Sequence, residues 1–419
     1  MMIDKITSAC VKCGKCIQTC PIYEVKKDEL HNPRGFLELL SAYNKGEISC
    51  DNDLKNIFDS CFLCTSCTEI CPFDLKVDKA IIDFRHKDFQ RSLSLYKKVI
   101  LFFLRNRKIL DFIAKLGYIF NPCIFKIQNG NLGMKSKFNI SLIKKDRLFP
   151  SFTKKSFLKS NADFIDNQGE KTIGFFVGCL QNYFYDESAK AVLKIAKKLK
   201  INVDLLKDQN CCAVVHFFNG DFKSVEKLAK KNIEYFEKKL ENLDAIIIAE
   251  ATCSSMIRKD YEYFFNSINQ KEWAKRAKKL SSKIYLATEY FYHKTSLKEL
   301  LSKQKKTDFI ITYHDPCHSK KTQGIFKEPR ELLKNNFILK EMHESDVCCG
   351  FGGINTQINL YNESLKIADK KTLNIKQTKA HFVSAECSAC RMQISNSLEK
   401  EKIQTIFRHP LELIAMIID

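Results

Sequence analysis

Short apolar runs alternate with charged amphipathic stretches over the C-terminal part of the chain. Thr172–Val177, Asn202–Leu206 and Asp244–Ala249 read as strands. Between them, Glu187–Lys200 places Ala189, Val192, Leu193, Ala196 and Leu199 on one helical face. The theme returns with strands predicted at Phe309–Tyr313, Phe337–Met342, Ala380–Ala385 and Ile403–Phe407. Strands of this length spaced by helices predict βαβ units on a parallel sheet. The first 90 residues carry only short helical patterns, such as Gly35–Tyr43 and Asp53–Asp59. Four segments follow: a helical domain over 1–90, a basic amphipathic helical linker over 91–168, and α/β domains over 169–304 and 305–419.

The last two segments read as a duplication. Cys179 and Cys317 each end a first strand and lie 138 positions apart, the pairs Cys211–Cys212 and Cys348–Cys349 lie 137 apart, and Cys253 and Cys387 lie 134 apart. A near-constant offset at three landmarks predicts two copies of one domain. The expected fold class is therefore multidomain α and α/β: a helical N-terminal domain, then two duplicated domains with parallel sheets.

Composition sharpens the chemistry. The 419 residues include 19 cysteines, well below the density of a short disulfide scaffold. The N-terminal MMIDKITSACVKCGKC has no apolar signal segment. Metal or redox thiols are thus favoured over disulfides, in a cytoplasmic setting or peripherally on the inner face of the cell membrane. The apolar stretches at Val99–Leu104 and Leu116–Phe125 are shorter than the roughly 18 residues a spanning helix needs.

The net charge of +20 is carried largely by lysines spread over solvated helix faces. No nucleic-acid-binding motif accompanies it, and no nucleic-acid partner is expected. One local excess stands out: residues 91–170 hold 16 Lys+Arg against 5 Asp+Glu. Within it, Tyr96–Phe120 interleaves Val99, Ile100, Phe102, Phe103, Ile109, Leu110, Phe112 and Ile113 with Lys97, Lys98, Arg105, Arg107 and Lys108. Two readings stand: a helix lying on an anionic membrane, or a linker packed on the protein or its partner.

The N-terminal cysteines form two runs, Cys10-x2-Cys13-x2-Cys16-x3-Cys20-Pro21 and Cys61-x2-Cys64-x2-Cys67-x3-Cys71-Pro72. Each is the C-x2-C-x2-C-x3-C-P run of two-cluster ferredoxins, in which the fourth cysteine reaches the other cluster. On that pattern Cys10, Cys13, Cys16 and Cys71 hold one [4Fe–4S] cluster, and Cys61, Cys64, Cys67 and Cys20 hold the other. Zinc sites also use C-x2-C pairs, but they do not need three such steps with a C-P ending, twice.

The C-terminal copy carries Cys317, Cys348, Cys349, Cys387 and Cys390, all at the carboxyl ends of predicted strands, where open parallel sheets bind ligands. Adjacent cysteines can both be ligands only in an irregular loop, and Gly350, Gly352 and Gly353 supply its backbone freedom. These residues predict a third cluster. The N-terminal copy offers Cys179, Cys211, Cys212 and Cys253 but has Ala213 after the pair and Met256 where a last cysteine is expected, so it predicts a weakened site. His314 and His318 flank Cys317 and are read as orienting the loop rather than tuning a cluster or moving protons. Cys50 and Cys123 are read as buried small hydrophobes.

A dicluster ferredoxin run followed by two CCG-type cysteine-rich domains resembles the iron–sulfur subunit of glycolate oxidase. It is also similar to the iron–sulfur subunit of anaerobic glycerol-3-phosphate dehydrogenase, to lactate-utilisation iron–sulfur proteins and to the CCG-bearing subunit of heterodisulfide reductase. FFVGCLQNYF (175–184), TYHDPCH (312–318), QGIFKEPRELL (323–333), CCGFGG (348–353) and CSACRMQI (387–394) carry the resemblance, and ATCSSMIRKDY (251–261) resembles the glycerol-3-phosphate branch. The spacing between the cysteine runs resembles the helical ferredoxin domain of succinate dehydrogenase. The resemblance implies a non-cubane [4Fe–4S] cluster at Cys317, Cys348, Cys349, Cys387 and Cys390. No G-x-G-x-x-G, P-loop, G-x-S-x-G or H-E-x-x-H motif is present. Hydride chemistry belongs to a flavin or nicotinamide. The expectation is an electron-transfer subunit serving an FAD-containing hydroxyacid oxidase, with a quinone or other acceptor. The alternatives are a glycerol-3-phosphate dehydrogenase subunit and disulfide chemistry at the CCG site itself.

Overall fold

A computed structural model describes residues 2–92, 95–127, 133–139 and 144–418. Parts of the basic segment, at 93–94, 128–132 and 140–143, lie outside them.

The N-terminal domain is built from helices Met2–Ser8, Pro21–Lys26, Pro33–Lys45, Asn52–Asp59, Ser66–Ile70 and Val77–Ser92. Their starts follow from sequence: Asn32 and Asp51 accept hydrogen bonds from Gly35 N–H and Leu54 N–H, and Pro21 and Pro33 occupy first-turn positions where no amide is needed. Phe36, Leu40, Phe58, Ile81 and Phe84 close its core.

The basic segment opens with two long helices, Leu95–Arg105 and Arg107–Ile124, and has a short one near its end, Phe157–Ser160. Between the long helices and the short one the chain forms an antiparallel three-stranded sheet of β1 (Phe125–Ile127), β2 (Met134–Ser136) and β3 (Leu148–Phe149), which the expectation of a helical linker over 91–168 did not include. Its three strands are too short for a periodicity signal.

The remainder holds two parallel sheets. The first contains β4 (Phe164–Ile165), β5 (Thr172–Phe176), β6 (Asn202–Asp204), β7 (Ala245–Ile248) and β8 (Ile284–Leu286), in the order β4-β6-β5-β7-β8, with only β4 antiparallel. The second contains β9 (Ile310–Tyr313), β10 (Ile338–Leu339), β11 (Phe382–Ser384) and β12 (Ile406–Arg408), in the order β10-β9-β11-β12, all parallel. The parallel strands of both sheets follow one order: second, first, third, fourth. That shared topology is the duplication seen in three dimensions. In such a sheet the chain reverses direction between its first and third strands, opening a crevice at their carboxyl ends.

The copies are interlocked. The C-terminal helix Pro410–Ile417 packs on the first copy's helix Asp186–Lys198, and one core runs from Ile173, Phe175 and Ile247 to Ile311, Leu333 and Leu411. At the seam Ala251 N–H donates to Glu386 O at 2.8 Å, and Ser388 N–H donates to Glu250 at 3.0 Å.

Candidate metal centres

In each N-terminal cysteine run the backbone turns left-handed twice, at Lys12 and Gly14 and at Leu63 and Thr65. These alternations coil each run tightly enough to face its cysteines inward. One cavity is lined by Cys10, Cys13, Cys16 and Cys71, and a second by Cys20, Cys61 and Cys64; Cys67 lines both. The last cysteine of each run thus crosses to the other run's cavity. Cys13 is exposed, whereas Cys20 is buried. Burial pushes the Cys20, Cys61 and Cys67 thiols up. Thiols so disfavoured as free anions become ligands only with a cation to replace their protons. The all-sulfur donor set fits an iron–sulfur cluster.

In the second copy Cys317, Cys348, Cys349, Cys387 and Cys390 are all buried. Their thiols form one chain of contacts in the order Cys317, Cys348, Cys349, Cys390, Cys387, with 3.4 Å between the sulfurs of Cys349 and Cys390. Gly350 is left-handed, and its N–H donates to the Cys348 sulfur at 3.4 Å. Five thiols exceed the four that a tetrahedral zinc site takes. They fit the larger cluster. Thr252, reaching over from the first copy, lies 3.5 Å from the Cys387 sulfur.

The first copy reproduces this chain with four members. Cys179 meets Cys211, Cys211 meets Cys212, and the sulfurs of Cys212 and Cys253 are 3.3 Å apart. Ala213 is held left-handed at φ 70° and donates to the Cys211 sulfur at 3.4 Å, doing as alanine what Gly350 does as glycine. The structure corrects the alignment of the two copies. Helices begin at Ala251 and Ser388, which makes Glu250 the counterpart of Cys387 and Cys253 that of Cys390. Met256 replaces no cysteine, and the missing fifth thiol is a carboxylate turned towards Ser388. An adjacent cation also went unread in the sequence: Arg107 donates to Gln209 O at 3.0 Å, and its charge acts on Cys179.

The helical domain docks on the CCGFGG loop of the second copy. Asn355, just after the loop, donates to Asp59 O at 3.2 Å, and Lys321 of the second copy reaches Ser66 Oγ at 2.5 Å, while Arg85 ties the domain to the first copy through Phe218 O at 2.9 Å. Docking brings the Cys64 and Cys348 thiols into hydrogen-bonding contact. Cys64 is held below its ordinary range, first by Cys348 and then by the Lys321 ammonium, against burial. No spacing in the sequence signals this meeting of residues 284 positions apart. His318 is half-buried beside the Phe218 ring at 5.4 Å, and desolvation disfavours its charged form. Cys50 is half-buried and Cys123 exposed, which corrects their reading as core residues.

This geometry defines a class of protein: an iron–sulfur protein in which a two-cluster helical domain is joined to a pair of cysteine-rich domains. The family description "4Fe-4S dicluster domain" matches residues 6–75, and "Cysteine-rich domain" (CCG) matches 173–258 and 311–395. The chain is similar to the probable glycolate oxidase iron-sulfur subunit of Bacillus subtilis (strain 168), at 26% identity over 94% of this chain and 89% of that protein. A subunit of the fumarate reductase (CoM/CoB) of Methanothermobacter marburgensis is 24% identical over 97% of this chain and 71% of its own length. Lactate utilization protein A of Geobacillus sp. (strain WCH70) is 27% identical over 55% of this chain and 92% of its own. A hypothetical protein from Helicobacter pylori of known crystal structure shares the fold, with a TM-score of 0.53 at 13% identity over 96% of this chain and 70% of that one.

Proposed function

We propose that the chain is the electron-transfer subunit of a flavin-dependent 2-hydroxyacid oxidase or dehydrogenase of the glycolate or lactate type. It receives electrons from an FAD-containing partner and delivers them to a quinone or another acceptor. The cofactors of this reading are two [4Fe–4S] clusters, at Cys10, Cys13, Cys16 and Cys71 and at Cys20, Cys61, Cys64 and Cys67, with a third centre on the five cysteines of the second copy. Iron–sulfur clusters supply one-electron transfer.

The contact between Cys64 and Cys348 carries the reading, because it sets the ligand groups in series. One end of that series opens to a docking partner at Cys13, and the other is enclosed. The alternative of disulfide chemistry needs substrate access at Cys348 and Cys349. Both are buried, and Phe62 packs against Gly352 over the same loop.

The test is anaerobic purification with and without co-produced flavoprotein, followed by addition of glycolate or lactate. We expect a brown protein with more than about eight irons, since two cubanes take that many, bleached by the hydroxyacid only when the flavoprotein is present. Disulfide reduction by the isolated chain, without such bleaching, would count for the alternative.

A further inference from the structure

His314 directly follows β9, and its backbone N–H donates to Ser384 O at 2.9 Å. The side chain is fully buried. Its Nδ1 lies 3.1 Å from Ser345 O. A carbonyl oxygen only accepts, so Nδ1 carries the proton and the neutral ring presents its lone pair at Nε2. The Ser345 carbonyl is itself held by Lys371 Nζ at 3.0 Å, and Lys371 is anchored a second time on Glu344 O at 2.7 Å. The ring is therefore oriented from behind.

Nε2 is buried, has no oxygen or nitrogen partner, and faces the Cys349 thiol. A buried acceptor at such depth is costly unless something fills its lone pair, a thiol proton or a metal ion. What lies in front of the ring is the thiol chain. A ring nitrogen of His314 and the sulfurs of Cys349 and Cys390 fall within 4.8 Å of one another, a grouping able to hold a metal ion. An imidazole whose far N–H is tied to a backbone carbonyl has the arrangement that orients metal-ligating histidines.

The chain supplies its own comparison. Three positions before its first cysteine, Cys179, the first copy has Phe176 where the second has His314 before Cys317, and in place of Cys387 it has Glu250. The copy without the fifth thiol is also without the imidazole. The two donors are present together or absent together, as two parts of one ligand set would be.

We infer that His314 Nε2 is a sixth protein donor to the iron–sulfur centre of the second copy, bound to iron beside Cys349 and Cys390. This rests on the reading above that the second copy holds such a centre. A neutral nitrogen donor adds no negative charge, and imidazole ligation raises the potential of a cluster relative to thiolate ligation alone.

The full chain, produced anaerobically with 15N-histidine and again unlabelled, tests the assignment by pulsed EPR of the third centre. The expected result is a nitrogen coupling several-fold larger than those of peptide nitrogens. It should change with the label, persist in His318→Ala and vanish in His314→Ala. Should His314→Ala lose the centre, His314→Cys restores a donor and should keep the iron, without the nitrogen coupling and at a lower midpoint potential. A third centre whose spectrum shows no histidine coupling, or keeps it in His314→Cys, overturns the proposal alone. An iron content stopping at about eight, with no third signal, overturns the underlying reading and the proposal with it.

Discussion

Gly352 shows how one missing methyl group can set a domain contact. Its φ is +66°, and a Cβ added there would stand 2.7 Å from the Phe62 ring and 2.4 Å from Thr356 Oγ1. Gly46 is also left-handed, at +78°, but an added Cβ would meet nothing within 4 Å. Gly46→Ala should therefore cost only the left-handed strain, about 1 kcal/mol. Gly352→Ala should cost about 2 kcal/mol or more, because a clash adds to the strain. Phe62→Ala in the same chain should return part of that excess, read as non-additivity in denaturant midpoints under anaerobic conditions. Equal losses in the two glycine variants, or strict additivity with Phe62→Ala, would refute this account of the contact. A second residue links stability to pH. His409 is buried, with Nε2–H donating to Ala249 O at 3.1 Å and Nδ1 accepting from Leu411 N–H at 3.1 Å. Burial, then the Arg391 charge, pushes it from 6.5 down to about 3. Between those values the unfolded chain binds more protons, so the stabilisation is complete above about 6.5 and is lost as pH falls towards 3. His409→Asn keeps a capping oxygen but does not titrate. Between pH 7 and pH 5 the parent should lose about 1 to 2 kcal/mol more than this variant, measured by urea unfolding.

The same contrast between what spacing reveals and what packing adds holds for whole elements. Six of the seven strands predicted from apolar runs contain an observed strand and the seventh, Ile403–Phe407, overlaps β12, while the helix predicted at Glu187–Lys200 is found over Asp186–Lys198. The central strands β5, β7 and β11 were legible as continuous apolar runs buried on both faces, and the helix as a periodic apolar face. β8 was not, since IYL is three residues between two helices and takes its conformation from pairing with β7. That the last cysteine of each N-terminal run lines the other run's cavity follows the ferredoxin pattern, whereas the place of Cys67 on both cavities had no signal in the spacing. The exact match of the copies was not legible either, because Cys253 can be aligned with either cysteine of C-x2-C until helix starts are seen. The helices Leu95–Arg105 and Arg107–Ile124 are the case where pattern left two readings open. Leu101 and Ala114 face the protein, whereas Phe102, Phe112, Ile119 and Phe120 are exposed among lysines and arginines. Among the described residues no helix is long and apolar enough to cross a membrane. The exposed rings and positive charge favour an anionic lipid surface, with each basic residue near it adding about 1 kcal/mol. Sedimentation with phosphatidylserine-containing vesicles should retain the protein, and neutral vesicles or high salt should release it. Phe112→Glu with Ile119→Glu should weaken retention at least tenfold; unchanged retention would leave the packed-linker reading.

At the scale of the molecule, the proposed electron path crosses a seam that neither domain contains alone. Lys321 sits in that seam, buried, with Ser66 Oγ at 2.5 Å and Glu69 at 3.7 Å across the domain boundary. The Cys317 and Cys64 sulfurs, with Glu69, hold its ammonium charged against burial. It is thus the cation shared by two ligand groups from different domains, and nothing in the sequence marks it among 69 basic residues. Removing a charge so placed should act in two ways. A reduced cluster carries one more negative charge than an oxidised one, so losing the nearby ammonium makes reduction harder and lowers the midpoint potential. The lost bond to Ser66 also loosens the contact that brings Cys64 to Cys348. Lys321→Met keeps the length and apolar stem of the side chain, which separates charge from packing. We expect this variant to keep its iron, to show lowered potentials for the centres on both sides of the seam, and to turn over more slowly with the flavoprotein present. Lys320→Met alters a neighbouring lysine whose partner is Asp346 in the same domain, and it should shift neither potential appreciably. If the two variants have the same redox titration, the cation at Lys321 does not couple the domains, and their contact rests on packing at Phe62 and on bonds such as Asn355 to Asp59 O and Lys26 to Glu363.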